Sequence, residues 1–216
     1  MNKTKHIFCV ALLFSVSQAI SANSPQQTFP ETLSKQGSPV EALEFHAEDM
    51  QYKQLEAQAK QRIKLFSTKL KSALVGAIQE DGFKHAVSVC KDQAPAIAQE
   101  LSNDGWTISR TSMKVRNAEN AANDWEQTML EKFEQRYKAG ELASNLHTST
   151  LENESYKYMQ AIPTGELCLA CHGKSVDPSL LQHIQTNYPS DKATGFTLKD
   201  IRGAFVVTSP VLKNLD

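Results

Sequence analysis

Residues 168–172 read Cys168-Leu169-Ala170-Cys171-His172. Two thiols stand three residues apart and an imidazole follows at once. That spacing suits covalent haem attachment: the thiols reach the two vinyl groups on one porphyrin edge, and the imidazole meets the iron. One such string means one haem c, with Cys168 and Cys171 as thioethers and His172 as the proximal iron ligand. Three other chemistries use paired thiols. A structural zinc site needs two more ligands, yet the nearest candidate is His183 and there is no second C-x-x-C. A thioredoxin-like redox pair wants its dithiol at a helix start after a βαβ strand, whereas the first half of the chain here is helical and the pair lies near the end of the sequence. A plain disulfide is the third.

The second axial position is open on residue chemistry alone. Cys90 is left over once Cys168 and Cys171 are used, and it shares an apolar helix face with Val87, Ala94 and Ile97. A buried structural thiol is the plainer role, common because cysteine is among the most buried residues. The other candidates are His85, His147, His183, Met113, Met129 and Met159, or a water-bound or open site. Arg110, Lys114, Arg116 and Arg202 are candidates for haem propionates, because guanidinium suits carboxylate; for any one of them a solvated surface charge is the plainer expectation. Trp106 and Trp125 read as core.

Several elements must position these groups. Leu55, Ala59, Ile63, Phe66, Leu70, Leu74 and Ala77 recur every three or four residues and predict a long helix with one apolar face. Asp81-Gly82 is its expected end. A second helical stretch carries Val87 to Leu101, with Pro95 as a break or kink. Trp106–Met113 alternates and predicts a strand. Asn123–Ala139 predicts a helix, opened by a capping box of Asn123 with Glu126 and stopped at Gly140. Tyr156–Ile162 predicts a strand with Tyr156 and Tyr158 on one face. Asp177-Pro178 opens a small helix. Gly203–Thr208 carries the strongest strand signal in the chain. Helices first, then strands mixed with short helices, predict an α+β fold with an antiparallel sheet flanked by helices and a long N-terminal helix.

The N-terminus reads as an export signal over residues 1–22. Lys3 and Lys5 precede the apolar run Ile7–Val16, and Ala19 and Ala22 offer small residues for cleavage. The run is about half of the roughly 20 apolar residues a spanning helix needs. Cys9 lies inside that run and leaves with it. Residues 23–39 are rich in Ser, Gln and Pro and read as a flexible leader. Residues 40–216 are expected to form a single domain. The whole chain carries 24 acidic and 23 basic side chains in 216 residues, which gives no electrostatic footprint for nucleic acid. Loss of Lys3 and Lys5 leaves the mature chain at −3.

From about Gly82 onward the sequence resembles a family of exported single-haem c-type proteins with a PAS-like fold, found alone and at the input end of bacterial signalling proteins. The matching stretches are Val89-Cys90-Lys91 with Ala94-Pro95 and Ile97-Ala98; Arg110-Thr111-Ser112 with Arg116-Asn117; Asn120 with Asp124-Trp125-Glu126; Ile162 to Gly165 leading into Cys168–Gly173; and Ala193-Thr194-Gly195-Phe196 with Arg202-Gly203-Ala204. Ala118 and Ala122 stand where the family usually has proline, so a looser loop is expected there. The resemblance implies a His/Cys-ligated iron and puts the family's axial cysteine on Cys90. Thiolate donation stabilises ferric iron and lowers the potential relative to methionine.

Two functions follow as expectations. The first is a periplasmic electron carrier that docks a redox partner near its haem. The second is a haem-based redox or gas sensor read by a separate signal transducer. Enzymatic turnover is not expected; a peroxidase-type activity would require an open distal site with a nearby base.

Overall fold

The computed structural model describes residues 39–210. The expected signal (residues 1–22) lies outside the described residues, as does the expected leader (residues 23–39) apart from Pro39. No described helix is long and apolar enough to cross a membrane.

Helix α1 spans Pro39–Ser88 and is interrupted at Asp81 (φ −147°, ψ 27°) and Gly82 (φ 73°, ψ −169°). Gly82 adopts a left-handed φ that a side chain resists, so the helical ladder breaks where the sequence places a glycine. The stripe Leu55, Ala59, Ile63 and Phe66 is buried, as the three-to-four spacing requires. Beyond the kink the helix widens into a π turn, Val89–Gln93, and continues as α2, Ala94–Leu101. The Ala94 N–H donates to the Val89 carbonyl, five residues back. Pro95 follows; it has no N–H to donate, and its ring would press on the carbonyl four residues earlier in a regular helix. The wide turn therefore sits directly before the residue that cannot continue an ordinary ladder, and Cys90 lies in it.

Four strands form one antiparallel sheet in the order β1-β4-β3-β2: β1 Thr107–Thr111, β2 His147–Glu152, β3 Ser155–Pro163 and β4 Ile201–Pro210. The α+β fold, with its antiparallel sheet and long N-terminal helix, is the one the sequence predicts. The last strand is central, between the first and the third. Side chains alternate across it. Val207, with Ile108, Tyr156 and Tyr158, packs on the α1 stripe and Trp106. Ala204 and Val206, with Met159 and Ala161, pack on Leu130 and Phe133 of α3, Asp124–Lys138. Tyr156 and Tyr158 are both fully buried on the α1 side, and Trp125 lies partly buried beside the α3-side core.

Helix α3 carries the predicted capping box: Asn123 accepts from the Glu126 N–H, and the Glu126 carboxylate accepts from the Asn123 N–H. Two short helices fill the β3–β4 connection: α4, Glu166–His172, and α5, Pro178–Asn187. Asp177 caps α5, accepting from the Ser179 and Leu180 N–H groups at 2.9 and 3.0 Å. Strand β2 has no counterpart in the sequence reading. It pairs with β3 through a two-residue turn in which Asn153 (φ 50°) and Glu154 (φ 57°) are left-handed. Hairpin turns of this shape are usually announced by a glycine, which is missing here.

Candidate functional site

Strand β3 ends at Pro163, and the chain turns through Thr164 and Gly165 into α4, which carries both thiols and the imidazole. Cys168 and Cys171, at positions i and i+3, lie on one side of this short helix. The Gly173 N–H donates to the Leu169 carbonyl at 2.9 Å and closes the helix. A Cβ at position 173 would lie 2.5 Å from that carbonyl oxygen, so only glycine permits so close an approach.

Residues 193–196 hold the end of α4. The Phe196 N–H donates to the His172 carbonyl at 3.0 Å, and the Gly195 N–H to the Gly173 carbonyl at 3.0 Å. The Phe196 ring meets the His172 ring edge-on, with centroids 6.3 Å apart. His172 Nδ1 lies 2.7 Å from the Ala193 carbonyl oxygen. A carbonyl only accepts, so this bond requires the proton on Nδ1 and leaves the Nε2 lone pair free. Burial, then the nearby Arg202 and Arg116 charges, hold the imidazole well below its ordinary pKa, which keeps it neutral. A neutral imidazole presenting Nε2 is the form that binds a metal.

Arg116 fastens this arrangement. Its Nη2 donates to the Cys171 carbonyl at 2.6 Å, and its Nε and Nη2 donate to the two Asp191 oxygens at 3.2 Å each. The two side chains are 7% and 4% exposed. Asp191 Oδ1 also accepts from the Ala193 N–H at 2.9 Å. One ion pair thus grips Cys171 on one side and the residue that orients His172 on the other. The expectation of a solvated surface charge is wrong for Arg116: its Nε and Nη2 donors are taken up in the interior by groups that only the fold assembles.

The structure brings Cys90 to this place from the π turn. Cys90 and Cys168 both raise the pKa of the Cys171 thiol electrostatically, after burial, which is the largest cause of the upward shift. Arg110, Arg202 and Tyr188 also feel Cys90. All three thiols are free and half-buried. Thr164, 3% exposed, keeps its hydroxyl without a hydrogen-bond partner.

The other ligand candidates lie elsewhere. His85 is exposed and faces Glu80 at 3.7 Å. His147 stacks on Tyr158. His183 lies on α5 with Nε2 3.3 Å from Asn187 Nδ2. Met129 and Met159 pack in the α3-side core, and Met113 is exposed. Among the described residues no group of three or more His, Cys, Asp or Glu side chains is arranged to hold a metal ion, as a tetrahedral zinc site would need. Lys114 is exposed, reaching the Thr194 carbonyl at 3.4 Å and the Phe196 ring.

Sequence reasoning missed Asp191 and Tyr188, and gave Thr164 no role beyond its place in the Ile162–Gly165 stretch. Asp191 had one faint signal, its place just before the Ala193–Phe196 stretch; Tyr188 had none. Chemically, the assembled groups offer two thiols on one helix side to a two-armed electrophile, and an imidazole nitrogen to a metal beside them.

A family model described as Tll0287-like matches residues 25–210. A solved crystal structure, described as that of the cyanobacterial heme-protein Tll0287, is similar at 25% sequence identity with a TM-score of 0.52; the match covers 70% of this chain and 94% of that one. No curated protein matches.

Proposed function

The chain belongs to the Tll0287-like family, and we propose that it is an exported electron carrier with a single haem c held through Cys168 and Cys171. The similar cyanobacterial protein is described as a heme-protein, which supports haem as the cofactor. The residues present fit that group. The two thiols have the spacing for thioether bonds. Nδ1 of His172 is committed to Ala193, so Nε2 is the nitrogen for iron. Cys90 would supply a further ligand to the iron, and half-buried guanidinium groups and the unpartnered Thr164 hydroxyl suit a polar, anionic cofactor periphery.

When bound, the haem would supply an iron that exchanges one electron between ferric and ferrous states. The protein's own residues do the rest. Arg116, Asp191 and Ala193 hold the imidazole in one tautomer and one orientation, which limits the rearrangement that would otherwise slow electron transfer. Thiolate donation from Cys90 would favour ferric iron and set a low potential. The observation that carries this reading is the bond from His172 Nδ1 to the Ala193 carbonyl at 2.7 Å, the arrangement that orients metal-binding histidines. A PAS-like reading of the sheet and its flanking helices goes with it.

A haem-based redox or gas sensor acting through a separate transducer is the second reading. One observation favours it: Cys90 sits in a π turn, a local distortion common at functional sites. Absorption spectra of the mature holoprotein, oxidised and reduced, with carbon monoxide added to the reduced form, separate the two. A carrier keeps six ligands in both states and ignores the gas. A reduced form that binds carbon monoxide points to the sensor, and a chain that stains for no haem after denaturing electrophoresis sinks both.

A further inference from the structure

Three guanidinium groups converge on the thiol–imidazole site, from Arg110 on β1, Arg116 and Arg202 on β4, and their charges act on His172 together. Among the described residues only Arg116 has a carboxylate, Asp191. Arg110 makes no hydrogen bond or ion pair with a described residue; its guanidinium lies over the Phe66 ring at 5.6 Å. Arg202 donates to Ser112 Oγ at 3.2 Å and to the Lys114 carbonyl at 3.4 Å, both neutral acceptors, and lies 5.1 Å over Phe196. Both side chains are half-buried. Burial and then mutual repulsion with Arg116 and Arg110 press Arg202 down to about 10. Two uncompensated positive charges held close to each other in a partly dry site are unfavourable unless an anion joins them.

We propose that Arg110 and Arg202 form a two-carboxylate recognition site and receive the two propionates of the covalently held haem. This rests on the haem reading above and deepens it. The charge count matches, with two cations lacking a carboxylate and two acidic arms on the cofactor. The chemistry matches too, since a guanidinium fork pairs with carboxylate in bidentate fashion and stays charged. It also divides the four basic candidates. Arg116 is already committed to Asp191 and the Cys171 backbone. Lys114 is exposed and bound to Thr194. Arg110 and Arg202 have donors to spare.

The test uses the full chain, matured with haem in a host that attaches it, as wild type, Arg110→Gln, Arg202→Gln and the two Lys variants. Haem staining after denaturing electrophoresis reports attachment through the cysteines, independently of the arginines. Resonance Raman propionate-bending bands and the reduction potential then report the pairing. The proposal expects stained protein in every variant, a shifted bending band and a lowered potential in each Gln variant, and recovery of the potential in the Lys variants. Stained Gln variants whose bands match wild type overturn it. So does a wild-type potential that moves with added inorganic phosphate while the bands stay fixed in the variants, which would assign the pair to a solvent anion. Wild-type protein without haem stain overturns the haem reading and this proposal with it.

Discussion

Arg116 donates to the backbone carbonyl of Cys171 at 2.6 Å while its guanidinium is paired with Asp191. The bond ties the turn holding the second thiol to a β1-side loop, and Asp191 extends the tie to Ala193 and so to the His172 ring. Removing one member of a buried ion pair leaves the other uncompensated, which typically costs about 3–5 kcal/mol. Arg116→Gln and Asp191→Asn are each expected to lose stability of that order in denaturant unfolding of the holoprotein. Arg116→Lys keeps the charge but not the fork, and should fall between them and wild type. Unfolding curves that superimpose on wild type would show that the pair holds nothing.

Cys90 tests the second axial ligand. Cys90→Ser replaces a strong sulfur donor with a weak oxygen one. The expected result is loss of any low-spin thiolate signature in the oxidised spectrum, a raised reduction potential, and carbon monoxide binding to the reduced form. An unchanged oxidised spectrum would assign the ligand to another residue and leave Cys90 as a packing thiol.

Gly173 is a steric test of the loop that ends α4. A methyl group there meets the Leu169 carbonyl oxygen at 2.5 Å, a backbone atom that cannot swing aside. Gly173→Ala is expected to cost about 1–3 kcal/mol, the usual range for overpacking, with a lower yield of haem-loaded protein. Gly76, with open space around its Cβ position, serves as the control: Gly76→Ala should be neutral or slightly stabilising, since alanine favours the helix.

His147 predicts a pH dependence. Burial, followed by the Lys60 charge, depresses its pKa below the ordinary 6.5, and its ring stacks on buried Tyr158. The unfolded chain therefore takes up a proton that the folded chain refuses. Stability is unaffected by this group above the unfolded value and is lost as pH falls below it toward the folded value. Urea midpoints of the holoprotein should decline on going from about pH 7 to about pH 5, and His147→Gln should flatten that part of the decline. A profile identical in the variant would remove His147 from the account.

Much of the molecule was legible because its determinants are local. The Cys168–His172 grouping needs only five consecutive residues, whatever surrounds it. The α1 stripe, the break at Gly82, the capping box at Asn123 and Glu126, and the Asp177 cap all depend on neighbours within a turn or two, and all appear as read. Strand β4 was legible too, since a strand buried on both faces needs a near-continuous apolar run.

What the sequence could not decide depends on the chain returning to itself. The place of β4 between β1 and β3 follows from which edges remain to be paired once the helices lie across the sheet. Strand β2 exists because β3 offers it a ladder, and nothing in His147–Glu152 demands that conformation alone. A sequence position says that Arg116 is charged and Asp191 is acidic; only the fold puts them 3.2 Å apart in the interior. The sequence by itself determined the chemical groups of the site, because residue type and short spacing are local properties. The tertiary structure alone decided which distant groups orient, neutralise or face them, because that is fixed by long-range packing and by the need of every buried charge for a partner.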